Sequence, residues 1–289
     1  MNYYKQIQQA IEFIETHLQE ELHITDIAAK ACFSAFHFQR MFQLISGFSV
    51  HEYIRKRRLS EAAKLLKESD MNILEIALAF QYGSQEAFTR AFTSCFGLTP
   101  AKFRKTAVEI HPQSKIDFLD HEKWRTGEMN MYKPTITQLE KLLIVGYEYK
   151  TNLNNDTYFQ EIPGFYHHFG SNEYYLRIPH KAKPAFSYGI SCNFQDDGAF
   201  SFVVGEEVHQ PAEELDEGFV QMELPAGKYA IFTVNGAAGG TQNVWKYIYG
   251  TWLPQSNYER REGPDFEVTD VLGSRFPDDM RIKIYIPIK

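Results

Sequence analysis

Hydrophobic residues recur at helical spacing over the first hundred positions and then turn to alternation. Ile7, Ile11, Ile14 and Leu18 fall on one stripe, three to four residues apart, which predicts an amphipathic helix. A short helix is predicted around 24–31. Ser34 has N-cap chemistry for a helix that carries Phe38, Met41, Phe42 and Ile45 and stops at Gly47. Ser49 caps a longer helix to about Lys67, with Tyr53, Ile54, Leu59, Ala62, Ala63 and Leu66 on its apolar side. Asn72 precedes a short helix over 73–80, Ser84 caps another that ends at Gly97, and Thr99-Pro100 opens a last turn.

Beyond a polar stretch at 108–127 the period changes to two. Strands are predicted at 142–149, 185–191, 199–207, 219–224, 228–234, 265–271 and 281–287, with helical segments at 158–170 and 241–252. Most of these fall into one order written twice, strand, helix, strand, strand. A duplicated unit of this kind faces its copy across a pseudo-twofold axis and leaves a cleft between the copies, where ligands bind. The expected architecture is α followed by α/β. It has an all-helical domain at 1–107, a linker at 108–127 and a mixed domain of two strand-helix-strand-strand repeats at 128–289.

The helical half is itself a repeat. From Ser34, Phe38, Arg40, Phe42 and Gly47 stand at +4, +6, +8 and +13; from Ser84, Phe88, Arg90, Phe92 and Gly97 stand at the same offsets. Another cap, Ser49 or Thr99, follows two residues after each glycine. Each unit is a short helix, a tight turn and a capped second helix, a helix-turn-helix. The phenylalanines point to the core, which leaves Gln39 and Arg40 in one unit, and Gln85, Glu86 and Arg90 in the other, as polar positions on the second helices. The joining helix, some 18 residues long, spans roughly 27 Å. With a bundle at each end, the two second helices fall about one DNA turn apart, so a single chain could address two successive major grooves.

Charge sharpens the division. The net charge of −7 is unevenly spread: residues 1–107 hold 13 Lys and Arg against 11 Asp and Glu, and 108–289 hold 17 against 26. The dense basic run is Arg55-Lys56-Arg57-Arg58. Arg55, Arg58 and Arg104, with the capped helix starts at Ser34 and Ser84, are the candidates for holding DNA phosphates. Hydrophobic content of 44% and charged content of 23% are those of an ordinary globular protein, and 289 residues suit about two domains. The sequence has no apolar run long enough to span a membrane and no signal-peptide core at its start. Its three cysteines, Cys32, Cys95 and Cys192, offer neither a disulfide framework nor zinc spacing. A cytoplasmic protein without cofactor or metal is expected.

Residues 5–107 resemble the DNA-binding domain of AraC/XylS-type transcription regulators. The likeness is carried by Phe33-Ser34-Ala35-Phe36-His37-Phe38-Gln39-Arg40-Met41-Phe42, by Tyr53-Ile54-Arg55 with Arg57-Arg58-Leu59, and by Phe96-Gly97-Leu98-Thr99-Pro100 with Phe103-Arg104. It implies double-stranded DNA and RNA polymerase as partners. It also implies base contacts from Phe36, Gln39 and Arg40 on the first reading helix and from Gln85, Glu86 and Arg90 on the second. Relatives commonly carry a second glutamine where this chain has Glu86, a carboxylate suited to cytosine N4.

In the second half, Glu267 lies between apolar neighbours in Pro264-Asp265-Phe266-Glu267-Val268, so alternation puts it on the face opposite Phe266. With Tyr188, Trp245, Tyr249 and Trp252 it would form an aromatic pocket with one carboxylate, suited to an amphipathic or cationic effector. Tyr249-Gly250-Thr251-Trp252-Leu253-Pro254, Arg260-Arg261, Gly263 and Phe266-Glu267 resemble the GyrI-like small-molecule-binding domain. In that family an acidic residue on this strand belongs to the ligand cavity, and some members use it for hydrolysis. No nucleophile or metal set accompanies it here, so an effector-modulated regulator, most simply an activator, is expected rather than a hydrolase; the alternative is the same DNA-binding regulator with the second half as a protein-interaction or sequestration module.

Overall fold

The computed structural model describes residues 3–119, 132–153, 157–195 and 197–289. The chain divides into a helical unit and a sheet unit, the division falling between described residues 119 and 132.

The helical unit contains α1 (Tyr3–Thr16), α2 (Ile24–Lys30), α3 (Ala35–Ser46), α4 (Val50–Glu68), α5 (Ile73–Ala79), α6 (Gln85–Phe96) and α7 (Pro100–Lys105). The cap chemistry sets these boundaries. Ser34, Ser49, Ser84 and Thr99 each accept a hydrogen bond from the amide three residues on, each contributing about 1 kcal/mol. Asn72 and Glu75 form a reciprocal capping box. Gly47 and Gly97 end α3 and α6 at φ 77° and 74°, the left-handed conformation that glycine adopts without steric cost.

The repeat extends into the cores. Phe38 and Phe42 on α3 pack with Tyr53, four residues after its cap Ser49. Phe88 and Phe92 on α6 pack with Phe103, four residues after its cap Thr99. Helix α4 serves both cores, and its Leu59, Ala62, Ala63 and Leu66 belong to the second.

The stretch expected to be a linker from 108 is, over 113–119, part of the helical unit. The Gln113 amide donates to Ser60 Oγ, the Ile116 amide to Tyr53 Oη and the Phe118 amide to Gln8 Oε1. The Phe118 ring is fully buried, 5.7 Å from Phe42. Polar composition concealed this because the segment binds mainly through its amides. Residues 120–127 of the expected linker, and 128–131 beyond it, lie outside the described residues.

The sheet unit contains β1 (Thr135–Leu139), β2 (Leu142–Asn152), α8 (Tyr158–Ser171), β3 (Phe186–Cys192), β4 (Ala199–Val208), β5 (Phe219–Leu224), β6 (Gly227–Gly236), α9 (Gly240–Tyr247), β7 (Phe266–Asp270) and β8 (Met280–Ile288). Helix α9 continues through a wide π turn, Ile248–Trp252, to Gln255. The strands form one antiparallel sheet in the order β1-β6-β8-β7-β3-β4-β2-β5. That order reads as its own repeat about the β7–β3 seam. Both expected repeats are present, but each begins with one further strand, β1 or β5. These leading strands are exchanged: β1 pairs with β6 and β5 with β2. The sequence pattern missed β1, whose Thr135–Leu139 is only half-buried.

Registers confirm the twofold. The pair Leu139–Gly227 recurs as Leu224–Leu142, Gly146–Gly205 as Ile231–Tyr285, and Tyr188–Val268 as Phe266–Ile190. Phe165 and Phe169 of α8 cluster with Val145, Phe200, Phe202 and Val204 on one face of the sheet. Ile144, Tyr188, Ile190, Val203, Tyr229, Phe266 and Val268 form a cluster on the other.

Candidate DNA-reading helices and effector cleft

Helices α3 and α6 share one design, and their polar residues differ in exposure. Gln85, Glu86 and Arg90 on α6 are exposed. The Glu86 carboxyl is held below its ordinary value by its own main-chain amide and by the Ser84 hydroxyl, so it presents a negative charge at the helix start. On α3, Ser34 is exposed and Phe36 half-buried, but Gln39 and Arg40 are buried. Base reading by those two requires that they be uncovered.

The basic run does not act as one patch. Arg55 is exposed with no ion pair among the described residues. Lys56 pairs with Glu52 at 2.8 Å. Arg57, which sequence reasoning passed over, is buried: it donates to Glu15 Oε2 at 2.7 Å, to Glu61 Oε1 at 2.8 Å and to the Gln113 carbonyl at 2.7 Å. Burial works against its charge, and the two carboxylates outweigh it.

Arg58 and Arg104, the other arginines expected at phosphates, bond to main-chain carbonyls of their own unit. Arg58 Nε and Nη2 donate to the carbonyls of Leu18 and Glu20. Arg104 Nε and Nη2 donate to those of Leu66 and Met71. Each arginine clamps the chain that leads into the first helix of a helix-turn-helix, α2 or α5. These charge-assisted bonds engage Nε and Nη2 of each guanidinium.

In the sheet unit, Glu267 lies on the face opposite Phe266, as alternation requires, and pairs with Gly189 across the β7–β3 seam. The Tyr166 hydroxyl on α8 donates to Glu267 Oε1 at 2.8 Å, and the Tyr166 ring meets Phe202 edge-on at 5.7 Å. Burial, then the neighbouring carboxylate, pushes the Tyr166 hydroxyl far above its ordinary value, so it remains a proton donor. Gly189 makes this possible, because a Cβ there would stand 1.9 Å from Tyr166 Oη.

The four aromatic residues expected with Glu267 have contacts to other partners. Tyr188 points to the opposite face, where its hydroxyl donates to Glu207 Oε2 at 2.8 Å. The shift of one residue along β3 reverses the face. Tyr249 is fully buried and donates to Asp265, which also accepts from Arg260 Nη2 at 2.7 Å. This triad ties the lead-in of β7 to the helix that follows β6. Trp245 is buried with its ring stacked on Tyr249, and Trp252 is half-buried between Phe232 and Tyr258. Tyr166, Phe202 and Gly189 were missed as site residues. Their signals were a hydroxyl on the Ile162-Phe165-Tyr166-Phe169 stripe and a glycine inside a strand, which marks close approach.

Among the described residues, no group of three or more His, Cys, Asp or Glu side chains could hold a metal, and no helix is long and apolar enough to cross a membrane.

Comparison with known proteins assigns both units. A helix-turn-helix domain model matches residues 27–106, and the model for integron-associated effector binding proteins matches residues 135–288. The chain belongs to the AraC-type transcription regulators that carry a C-terminal effector-binding domain. It is 31% identical to the transcriptional regulator Rob of Salmonella typhimurium and 30% identical to the right origin-binding protein of Escherichia coli K12, each alignment covering 98% of both chains. The helical unit alone is 48% identical to the probable transcription factor PqrA of Proteus vulgaris, over 34% of this chain and 82% of that one. The chain is thus a DNA-binding transcription regulator with an effector-binding domain.

Proposed function

We propose that this regulator, an activator in contact with RNA polymerase, binds one asymmetric site as a monomer. In this reading α3 and α6 enter successive major grooves, and an amphipathic, preferably cationic, small molecule seated at Glu267 modulates the outcome. Gln39, Arg40, Gln85, Glu86 and Arg90 read base edges, with Phe36 in apolar contact, and Arg55 with the starts of α3 and α6 holds phosphates. Duplicated caps on two helices of one chain support the monomeric mode.

The observation that carries the effector reading is the Tyr166–Glu267 pair at the twofold seam. A half-buried carboxylate loses hydration, and a lipophilic cation restores a counter-charge while aromatic rings cover its apolar surface. Glu267 acts as a counter-ion in this reading and not as a catalytic group. The ligand transmits a signal only by favouring one conformational state over another. Calorimetry on the full chain tests this with a lipophilic quaternary ammonium ion and a neutral compound of the same shape. Glu267→Gln is expected to weaken the cation and spare the neutral compound; equal cation affinity in parent and variant refutes the counter-ion role.

A further inference from the structure

We infer that Gln81 fixes the separation of the two reading helices and so sets the half-site spacing this regulator accepts, an inference that rests on the two-groove reading above. Gln81 sits in the turn of the second helix-turn-helix at φ 66°, left-handed although it is not glycine. Its side-chain Nε2 donates to the main-chain carbonyl of Gln19, 2.5 Å away in the first unit. The equivalent turn residue of the first unit, Cys32, has the same backbone conformation at φ 57° and an exposed side chain. The Gln81 bond therefore has no counterpart in the repeat and is not needed to make the motif.

Beside this bond lies a groove of about 520 Å³, lined by Glu15, Leu18 and Glu20 of the first unit, Arg57 and Glu61 of α4 and Phe80 of the second unit. Three successive carbonyls of the turn after α1 are held at its edge: Leu18 and Glu20 by Arg58 of α4, and Gln19 by Gln81 of the second unit. The first two bonds fasten the turn to the shared helix. The third fastens the second unit to the turn. Without it the relative orientation rests on the shared helix α4 and on the 113–119 segment, which returns from the second unit to α1 and Tyr53 of the first.

Spacing is where this matters. One inserted base pair moves the second half-site about 3.4 Å along the duplex and rotates it by about a tenth of a turn. The test uses the full chain and the DNA site selected from genomic fragments, with one base pair added or removed between the half-sites. Gln81→Gly is the informative variant, because glycine adopts the left-handed turn without strain. Gln19→Ala is the control, since the acceptor belongs to the main chain. The parent and Gln19→Ala are expected to lose about tenfold or more on either altered site, on the order of a poor base contact. Gln81→Gly is expected to lose less than about threefold, with an unchanged melting temperature. A variant profile that coincides with the parent's overturns the role of Gln81. A parent indifferent to spacing overturns the inference together with the two-groove reading.

Discussion

Gly189 and Glu267 face each other across β3 and β7 at the one pair of positions that the internal twofold exchanges, and only one of them carries a side chain. The repeat is therefore broken at its own axis. The carboxylate takes the space on one side and Tyr166, reaching over the glycine, takes the other. Gly189→Ala would place a methyl group 1.9 Å from Tyr166 Oη and 2.8 Å from the Phe202 ring. Because the α8 backbone holds Tyr166, the variant is expected to lose about 1–3 kcal/mol by overpacking. It should also release Glu267 from its donor. Urea denaturation gives the first quantity and cation affinity follows the second; an unaltered unfolding midpoint would contradict the crowding.

Much of this arrangement was legible in the chain. Ser34 with Gly47 and Ser84 with Gly97 fix their helices through local cap chemistry, and that chemistry does not depend on the rest of the fold. Glu267 was placed on its correct face by alternation alone. Other placements depend on contacts distant in sequence. The acceptors of Arg58 and Arg104 are carbonyls 33 to 40 residues away, which carry no side-chain signature. Tyr188 was put with Glu267 although a one-residue register separates their faces. Tyr249 belongs to a buried triad with Asp265 and Arg260, a partnership across 11 to 16 residues that no local periodicity marks.

The turn residues Cys32 and Gln81 share one backbone conformation and differ in what their side chains do. Cys32 is exposed at φ 57°, where a non-glycine residue is strained. Cys32→Gly is expected to stabilise the helical unit by about 1 kcal/mol, the relief of strain exceeding the entropy of a more flexible unfolded chain. The change is read as a shift of the helical circular-dichroism midpoint in urea. A lower midpoint would mean that the cysteine side chain contributes contacts of its own.

Acid should act with opposite signs on the two units. Burial raises the Glu61 carboxyl, but Lys64 and Arg57 outweigh it and hold the group below its ordinary 4.5. Its contribution is therefore present above the unfolded value and lost as pH falls through the folded one. Burial raises Glu206, and Lys181 does not fully offset it. Its contribution is present below the unfolded value and lost as pH rises through the folded one. Between pH 7 and about 4, Glu61→Gln should approach the parent in stability, read by helical circular dichroism. Over the same range the parent should gain on Glu206→Gln, read by the fluorescence of Trp245 and Trp252. Parallel pH curves for either variant and the parent would refute that assignment.

Arg55 and Arg104 resemble one another in sequence and differ in what they touch. Arg55 is exposed, and its guanidinium is open to a phosphate. Arg104 is half-buried and joins the end of α4 to the start of α5 through the Leu66 and Met71 carbonyls at 3.0 and 2.6 Å. Removing Arg55 leaves no protein group unsatisfied, whereas removing Arg104 leaves two carbonyls without their charged donor, at a cost of about 1–3 kcal/mol. Arg55→Ala should therefore keep the parent's melting temperature and weaken binding to all DNA sequences alike, lowering the salt slope by about one unit. Arg104→Ala should melt earlier and, where still folded, keep the parent's salt slope. Melting curves together with affinities at several salt concentrations distinguish the two. A full-strength salt slope in Arg55→Ala, or a missing unit of slope in folded Arg104→Ala, would reverse the assignment of structural and phosphate roles.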